Sequence, residues 1–373
     1  MTTVNPAVVG TYVDRLRRTQ DHLKAQAVDL LLVGPSSDLF YLTGFEAHES
    51  ERMNLLLVPQ QGEPKMVMPE LEAPLMKSIS ELMELPVHAW AETDSPSELV
   101  ANLAGDVEGK SVAVSNELWS VFLLRLQEQM QGANWTPAAE VMRPLRAMKD
   151  SREIALLREV SHRTDEAWHE FITTSITGLT ESQAFEQLSK PMRERGLAIS
   201  FGICASGPNS ASPHHHTGDR MVQPGDTVIF DWGGTLEGYH SDVTRTVHIG
   251  DPDDEYRKVY DVVLRANQTA LDAVRPGAAC ESIDRAARAV ITDAGYGDYF
   301  IHRVGHGLGL DVHEEPYLVE GNTLPLQVGM VFSDEPGIYI EGKFGVRIED
   351  SVVCTETGGE RLNEATRELT VMT

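Results

Sequence analysis

The stretch TVIFDWGGTLEGYHSDVTRTV (227–247) sets an acid, Asp231, inside an apolar run that otherwise reads as a core strand. A glycine-containing turn follows, and the return strand carries a second acid, Asp242. The same plan recurs in MVFSDEPGIYIEGKFGVRIEDSVV (330–353), with Glu335 ending the outgoing strand and Glu349 on the return. Such an echo predicts two related hairpins that face each other. Packed together, they bring four carboxylates to one point in a mostly apolar domain. Burying an unpaired carboxylate is strongly unfavourable, and crowded carboxylates hold protons rather than ionise together. Two divalent cations among them remove both problems.

The histidines nearby extend this expectation. HRVGHGLGLDVHEEP (302–316) contains His302, His306 and His313, and Gly305, Gly307 and Gly309 argue against a helix at His306. On a straight strand His306 and His313 would face opposite sides, so a bend after Gly309 is needed for both to reach one cavity. An oxygen-rich set with one imidazole suits manganese or another hard-to-borderline divalent ion, and does not suit a zinc finger. Two such ions about 3.5–4 Å apart would give a two-metal hydrolytic site. SGPNSASPHHHTGDR (206–220) adds three consecutive histidines, a run also common in exposed loops. Pro213 restrains this loop and favours His214 as its ordered member.

Around these segments the chain separates into two halves. Residues 1–147 alternate helical and strand-like stretches, among them a helix over 11–27, strands at AVDLLLVG, MNLLLVP and KMVMP, and a capped helix at SPSELVANLAG. This alternation predicts an α/β domain, and its residues show no phosphate loop and no cluster of histidines and acids. Pro144 breaks the pattern, and Ser151 is the expected N-cap of a long helix. Residues 148–373 read as α+β, with helices over 151–175, 181–195, 253–274 and 280–294 around a largely antiparallel sheet. Thr180 and Gln183 fit a capping box.

Composition narrows the function classes. The 373 residues carry a formal net charge of −26. A surface that negative repels phosphate backbones and anionic lipid, which argues against nucleic-acid and membrane partners. The three cysteines, Cys204, Cys280 and Cys354, are scattered and form no CxxC, as expected in a reducing compartment. The first residues have too short an apolar run for a secretory signal, so a cytoplasmic protein is expected.

In order along the chain, SGPNSASPHH, FDWGGTLEGYHSDVTRT, GHGLGLDVHEEP, EPGIY and GVRIED resemble the creatinase/prolidase-type metallopeptidases, the pita-bread proteins that include Xaa-Pro dipeptidases and Xaa-Pro aminopeptidases. The resemblance covers the second half. It implies a pseudo-twofold antiparallel sheet with flanking helices, preceded by a smaller α/β domain that shapes access and dimerisation. It further implies that Asp231 binds one metal, that Asp242 and Glu349 bridge both, and that His306 and Glu335 hold the other. His214 and His313 match histidines that hold substrate and stabilise the oxyanion, and Glu335 would shuttle the proton to the leaving proline nitrogen. Two divalent ions are implied, manganese first with cobalt or zinc as alternatives, together with a homodimer acting on proline-containing dipeptides or short peptides.

Arg347, two residues from Glu349, is a candidate either for binding substrate or for steadying the acid. Many dipeptidases of the family carry an arginine four residues after the position of His313, where this chain has Tyr317. Arg347, Arg303 or Arg220 would have to compensate, or longer peptides would be accepted. Pita-bread proteins acting on creatine, ectoine or a sulfonium compound, and a non-catalytic binding module, are the competing readings. The complete set of ligand positions argues against the creatinase and binding-module versions.

Overall fold

A computed structural model describes residues 6–373. The reading of the extreme N-terminus as lacking a secretory signal falls partly on residues 1–5, outside the described residues. The chain divides into two compact units between Arg146 and Ala147.

The first unit runs α1 (Pro6–Ala25), β1 (Leu30–Val33), α2 (Ser37–Thr43), β2 (Leu55–Pro59), β3 (Lys65–Pro69), α3 (Ala73–Met83), β4 (Val87–Trp90), α4 (Pro96–Ala104), β5 (Ser111–Val114), α5 (Ser120–Gln129), β6 (Asn134–Pro137) and α6 (Ala139–Ala147). Its six strands form one mixed sheet in the order β4-β3-β2-β1-β5-β6. The β1 and β2 strands read as continuous apolar runs because both of their faces are covered. Leu30 and Leu32 pack with Leu55, Val67, Val112 and Phe122 on one side of the sheet. Ser95 caps α4 as its sequence predicts. Pro144 does not end a helix: it lies inside α6.

The second unit contains α7 (Ser151–Phe171), α8 (Glu181–Glu194), β7 (Ala198–Ser206), β8 (Thr227–Leu236), β9 (Tyr239–His240), β10 (Val243–Ile249), α9 (Asp254–Ala273), α10 (Cys280–Asp293), β11 (Gly305–Gly307), β12 (Glu314–Leu318), β13 (Val331–Asp334), β14 (Gly337–Ile340), β15 (Phe344–Arg347), β16 (Asp350–Thr355), β17 (Gly358–Arg361) and β18 (Thr370–Met372). The N-cap of α7 is Asp150 rather than the expected Ser151. Its carboxylate accepts from the amides of Arg152 and Glu153, and Glu153 reaches back to the Asp150 amide at 2.9 Å. The D-S-R-E spacing is a capping box read one residue late. Thr180 and Gln183 close the box of α8 as predicted.

The echo in the sequence becomes two similar layers. The α7–α8 pair packs against β18-β10-β8-β7, burying Val160, Trp168, Leu188, Phe230 and Trp232. The α9–α10 pair packs against β12-β11-β13-β16-β17, burying Val259, Val263, Ile283, Phe332 and Val352. Both sheets are antiparallel apart from the β10/β18 pair. Neither hairpin is regular. The β7/β8 register shifts between Ile199 and Phe201, opposite Gly234 and Gly233, and the second hairpin is interrupted at Pro336, so β14 and β15 form their own two-stranded ribbon. Both irregularities fall next to the acids. Gly233 allows the close approach of the Ser241 backbone, because a Cβ there would lie 2.2 Å from the Ser241 carbonyl oxygen.

Candidate metal centre

Strand alternation explains why an acid sits in the middle of β8. Phe230 and Trp232 belong to the helix-side core, and Trp232 stacks on Trp168 with ring centroids 4.6 Å apart. Asp231 therefore faces the opposite side of the sheet. The same rule operates on β13 and its exit. Phe332 enters the helix-side core, whereas the Ser333 hydroxyl donates to Glu335 at 3.1 Å and accepts from the His306 amide at 3.0 Å. Asp334 points away from this face, as alternation requires, and is fully buried.

The two halves meet where Thr244 of β10 bridges Glu349. Asp242, His306 and Glu349, all buried, offer ligand atoms within 4.8 Å of one another. His306 Nε2 lies 3.2 Å from Glu335 Oε1 and 3.6 Å from Asp242 Oδ2. Asp231 Oδ1 is buried without a hydrogen-bond partner. Five candidate donor groups, namely Asp231, Asp242, His306, Glu335 and Glu349, thus line one cavity of about 680 Å3, together with His214, His302, Arg303, His313 and Arg347. That volume suits a small ligand.

The electrostatics are those of a crowded anion cluster. Burial, reinforced by Asp231, pushes the Asp242 carboxyl well above the usual carboxylate range. Burial together with Asp242, Glu335 and Asp231 does the same to Glu349. Asp231 is raised by burial against the opposing pull of Arg347. Glu335 departs from the others. Burial raises it, but the hydrogen bond and charge of His306 outweigh that and bring it to about 2. Carboxyls raised by burial and by one another, an orphaned carboxylate oxygen and one imidazole together fit divalent metal ions.

The remaining predicted residues take distinct places. Arg347, fully buried, donates to Asp231 Oδ2 at 2.7 Å, to the Tyr339 hydroxyl at 2.9 Å and to the Thr244 hydroxyl at 3.1 Å. The acid it pairs with is Asp231 of β8, in another sheet, not Glu349 two residues on. Thr244 in turn donates to Glu349 Oε2 at 2.6 Å. His313 reaches the cavity through a bend after Gly309, and its ring meets His306 edge-on with centroids 4.1 Å apart. Burial and the neighbouring His306 lower His313 to about 4. Of the three consecutive histidines, His214 lines the cavity but is exposed, as is His216, and the anchored member is His215, which turns inward to Glu181 at 2.8 Å, not His214 as expected.

Several residues of the site were missed in the sequence. Arg245 and Asp350, the residues after Thr244 and Glu349, pair at 2.6 Å on the far side of the sheets, and Arg245 also donates to the carbonyls of Thr244 and Glu349. This guanidinium fastens together the two strands that carry the acids. Tyr339 links Arg347 to His302, whose Nε2 lies 2.9 Å from the Tyr339 hydroxyl. Glu181, at the start of α8, is the hub of the histidine loop. Its completely buried carboxylate accepts from the Ser206 amide and hydroxyl, Asn209, His215 and the Gly218 amide. Burial pushes this carboxyl upward, but the donors from Asn209, Ser206 and His215 outweigh it and hold it low. The signal available was an acid in the first turn of a capped helix, which reads equally well as a favourable helix-dipole charge. Glu181→Ala is expected to lower kcat/KM by about 10–100-fold, as loss of an outer support does, while hydrogen exchange at 206–218 rises. Unchanged exchange there would contradict this assignment.

Comparisons with known proteins place the chain in a family. The model of metallopeptidase family M24 matches residues 155–356, and that of the creatinase/prolidase N-terminal domain matches residues 15–148. The crystal structure of dipeptidase PepE from Mycobacterium ulcerans superposes with a TM-score of 0.94 and 40% identity over 97% of this chain and 98% of that one. A recombinant prolidase from Thermococcus sibiricus gives 0.91 and 38% over 97% and 99%. The Xaa-Pro dipeptidase of Lactobacillus delbrueckii subsp. lactis is 34% identical over 96% of this chain and 98% of its own length. No helix among the described residues is long and apolar enough to cross a membrane. A pita-bread unit with a buried site fit for divalent cations, behind a creatinase/prolidase-type first unit, makes this chain a member of metallopeptidase family M24 and a metal-dependent peptidase.

Proposed function

We propose that the protein is an Xaa-Pro dipeptidase that works with two divalent ions, manganese first, held by Asp231, Asp242, His306, Glu335 and Glu349. The observation that carries this reading is the convergence of Asp242, His306 and Glu349 with Glu335 and Asp231 in one cavity. The names of the relatives favour a peptide over the small-molecule alternatives. When bound, such ions supply Lewis acidity toward the scissile carbonyl and a nucleophile from water at neutral pH. Glu335, kept ionised beside His306, takes the proton of the attacking water and delivers it to the prolyl nitrogen as the C–N bond breaks. His313 donates to the carbonyl oxygen as negative charge develops on it, and His214 orients the substrate. Arg347 holds Asp231 in place and leaves substrate binding to others.

The choice between dipeptide and longer peptide rests on a cation. Arg220 is committed to Asp226 at 2.6 Å, and Arg347 to Asp231 at 2.7 Å. Arg303 lines the cavity and stacks over Tyr317, 4.3 Å from the ring centroid. Stacking fixes the guanidinium while leaving its N–H edge available to a carboxylate. Tyr317 thus supports the arginine that its own position lacks. An Xaa-Pro dipeptide is expected to be cleaved about 10–100-fold more efficiently than its C-terminal amide, the value of a charge-assisted hydrogen bond. Arg303→Met is expected to erase most of that difference. Equal kcat/KM for acid and amide in the wild-type enzyme would reject dipeptide selection by this residue. Robust hydrolysis of Xaa-Pro-Yaa tripeptides in its place would assign aminopeptidase action. A homodimer and a cytoplasmic location complete the proposal. The second is supported by three buried, free thiols, and sedimentation velocity tests the first.

A further inference from the structure

The loop that presents His313 is closed from beneath by a charge far away in sequence. Lys149, the third residue of the second unit, has a side chain only 1% exposed, and its Nζ lies 2.7 Å from Glu314 Oε1, on a side chain 8% exposed. Glu314 follows His313 directly. Its other oxygen accepts from the Asp311 amide at 3.4 Å, so the carboxylate fills the inside of the 309–314 bend. The fit is close: a Cβ on Gly309 would sit 2.7 Å from Glu314 Oε1. The Lys149 backbone is itself fixed, because its amide donates to the Gly329 carbonyl at 2.9 Å and Met148 bridges Met330. On the other side of the loop the His240 amide donates to the Gly309 carbonyl at 2.9 Å.

We infer that Lys149 is a positioning residue for His313, acting through Glu314. A buried carboxylate needs a partner charge to stay in place. Removing the Lys149 ammonium takes away the buried charge that meets Glu314 Oε1 inside the bend, so the carboxylate shifts, the bend loosens and His313 loses its edge-on contact with His306. Lys149 is neither in the cavity lining nor among the candidate ligands, so the effect is on the substrate-facing histidine and not on metal binding. The inference rests on the proposed contact of His313 with the substrate.

The test is a double-mutant cycle in the metal-loaded enzyme with an Xaa-Pro dipeptide. Lys149→Met is expected to lower kcat/KM by about 10–100-fold at unchanged metal content by elemental analysis. Lys149→Arg restores most of the loss. Lys149→Met combined with His313→Ala is expected to be no slower than His313→Ala alone, which a general structural defect would not produce. If Lys149→Met does not fold, Lys149→Met/Glu314→Gln removes both charges and takes its place in the cycle. Wild-type kinetics for Lys149→Met, or for the double variant where it stands in, or losses that add to that of His313→Ala, would overturn the inference. Wild-type kinetics for His313→Ala would instead remove the role of His313 on which the inference stands.

Discussion

Asp242→Asn should abolish measurable peptide hydrolysis while making the metal-free protein more stable. Asp242 is 3% exposed, and its carboxyl is driven upward by burial and by Asp231. In the absence of cations, an amide of the same shape relieves a crowded buried acid. The same change removes an anion that the proposed ligand set gives to both ions. Turnover of an Xaa-Pro dipeptide is expected to fall by at least about 100-fold, beyond the range that outer supports of a metal site contribute. Glu349→Gln should behave alike, for the same reasons. Steady-state kinetics, elemental analysis and thermal melts of the chelated protein read the three effects. Wild-type turnover by either variant would refute the proposed ligand set. A metal-free Asp242→Asn protein that melts below the metal-free parent would show that crowding does not govern the apo state.

Exhaustive chelation should inactivate the enzyme and lower its melting temperature, with manganese reversing both. Ligand that binds only the folded state at about 1,000 times its Kd stabilises by about 4 kcal/mol. For a unit of this size each kcal/mol moves Tm by about 2–4 °C, so one occupied site is worth about 8–16 °C. The effect should be absent in Glu349→Gln if that residue is a ligand. A melting curve indifferent to both chelator and manganese would contradict a metal-organised site.

The parts of this architecture visible in the sequence were those carried by short-range patterns. Asp231 betrayed itself because a charge between Ile229, Phe230 and Trp232 violates the composition of a buried strand, and its echo at Glu335 doubled the signal. The Thr180–Gln183 cap and the bend after Gly309 were equally local. What escaped depends on pairs brought together by folding. Arg245 reads as one more polar residue in VTRT, and only the meeting of β10 with β16 places it against Asp350, 105 residues away. Glu181 looked like a helix-dipole acid until the 206–218 loop folded over it. Arg347 reads equally as a substrate-binding residue or as support for Glu349, because a sequence shows adjacency along the chain and not contact between sheets. Asp150 was lost for a simpler reason: two good caps, Asp150 and Ser151, stand side by side, and the glutamate three residues after the first decides between them.

The way Arg245 ties the carbonyls of Thr244 and Glu349 has a consequence for biosynthesis. The two acids proposed to bridge the cations, Asp242 and Glu349, come from stretches more than a hundred residues apart, each stretch supplying part of the cage. A ribosome-bound chain that has emerged only as far as α9 carries half a cage and has little hold on an ion. Capture must wait until β16 has docked, a closure delayed by its long sequence separation. On the proposed ligand set, charging with metal would thus follow the closure of the last strands.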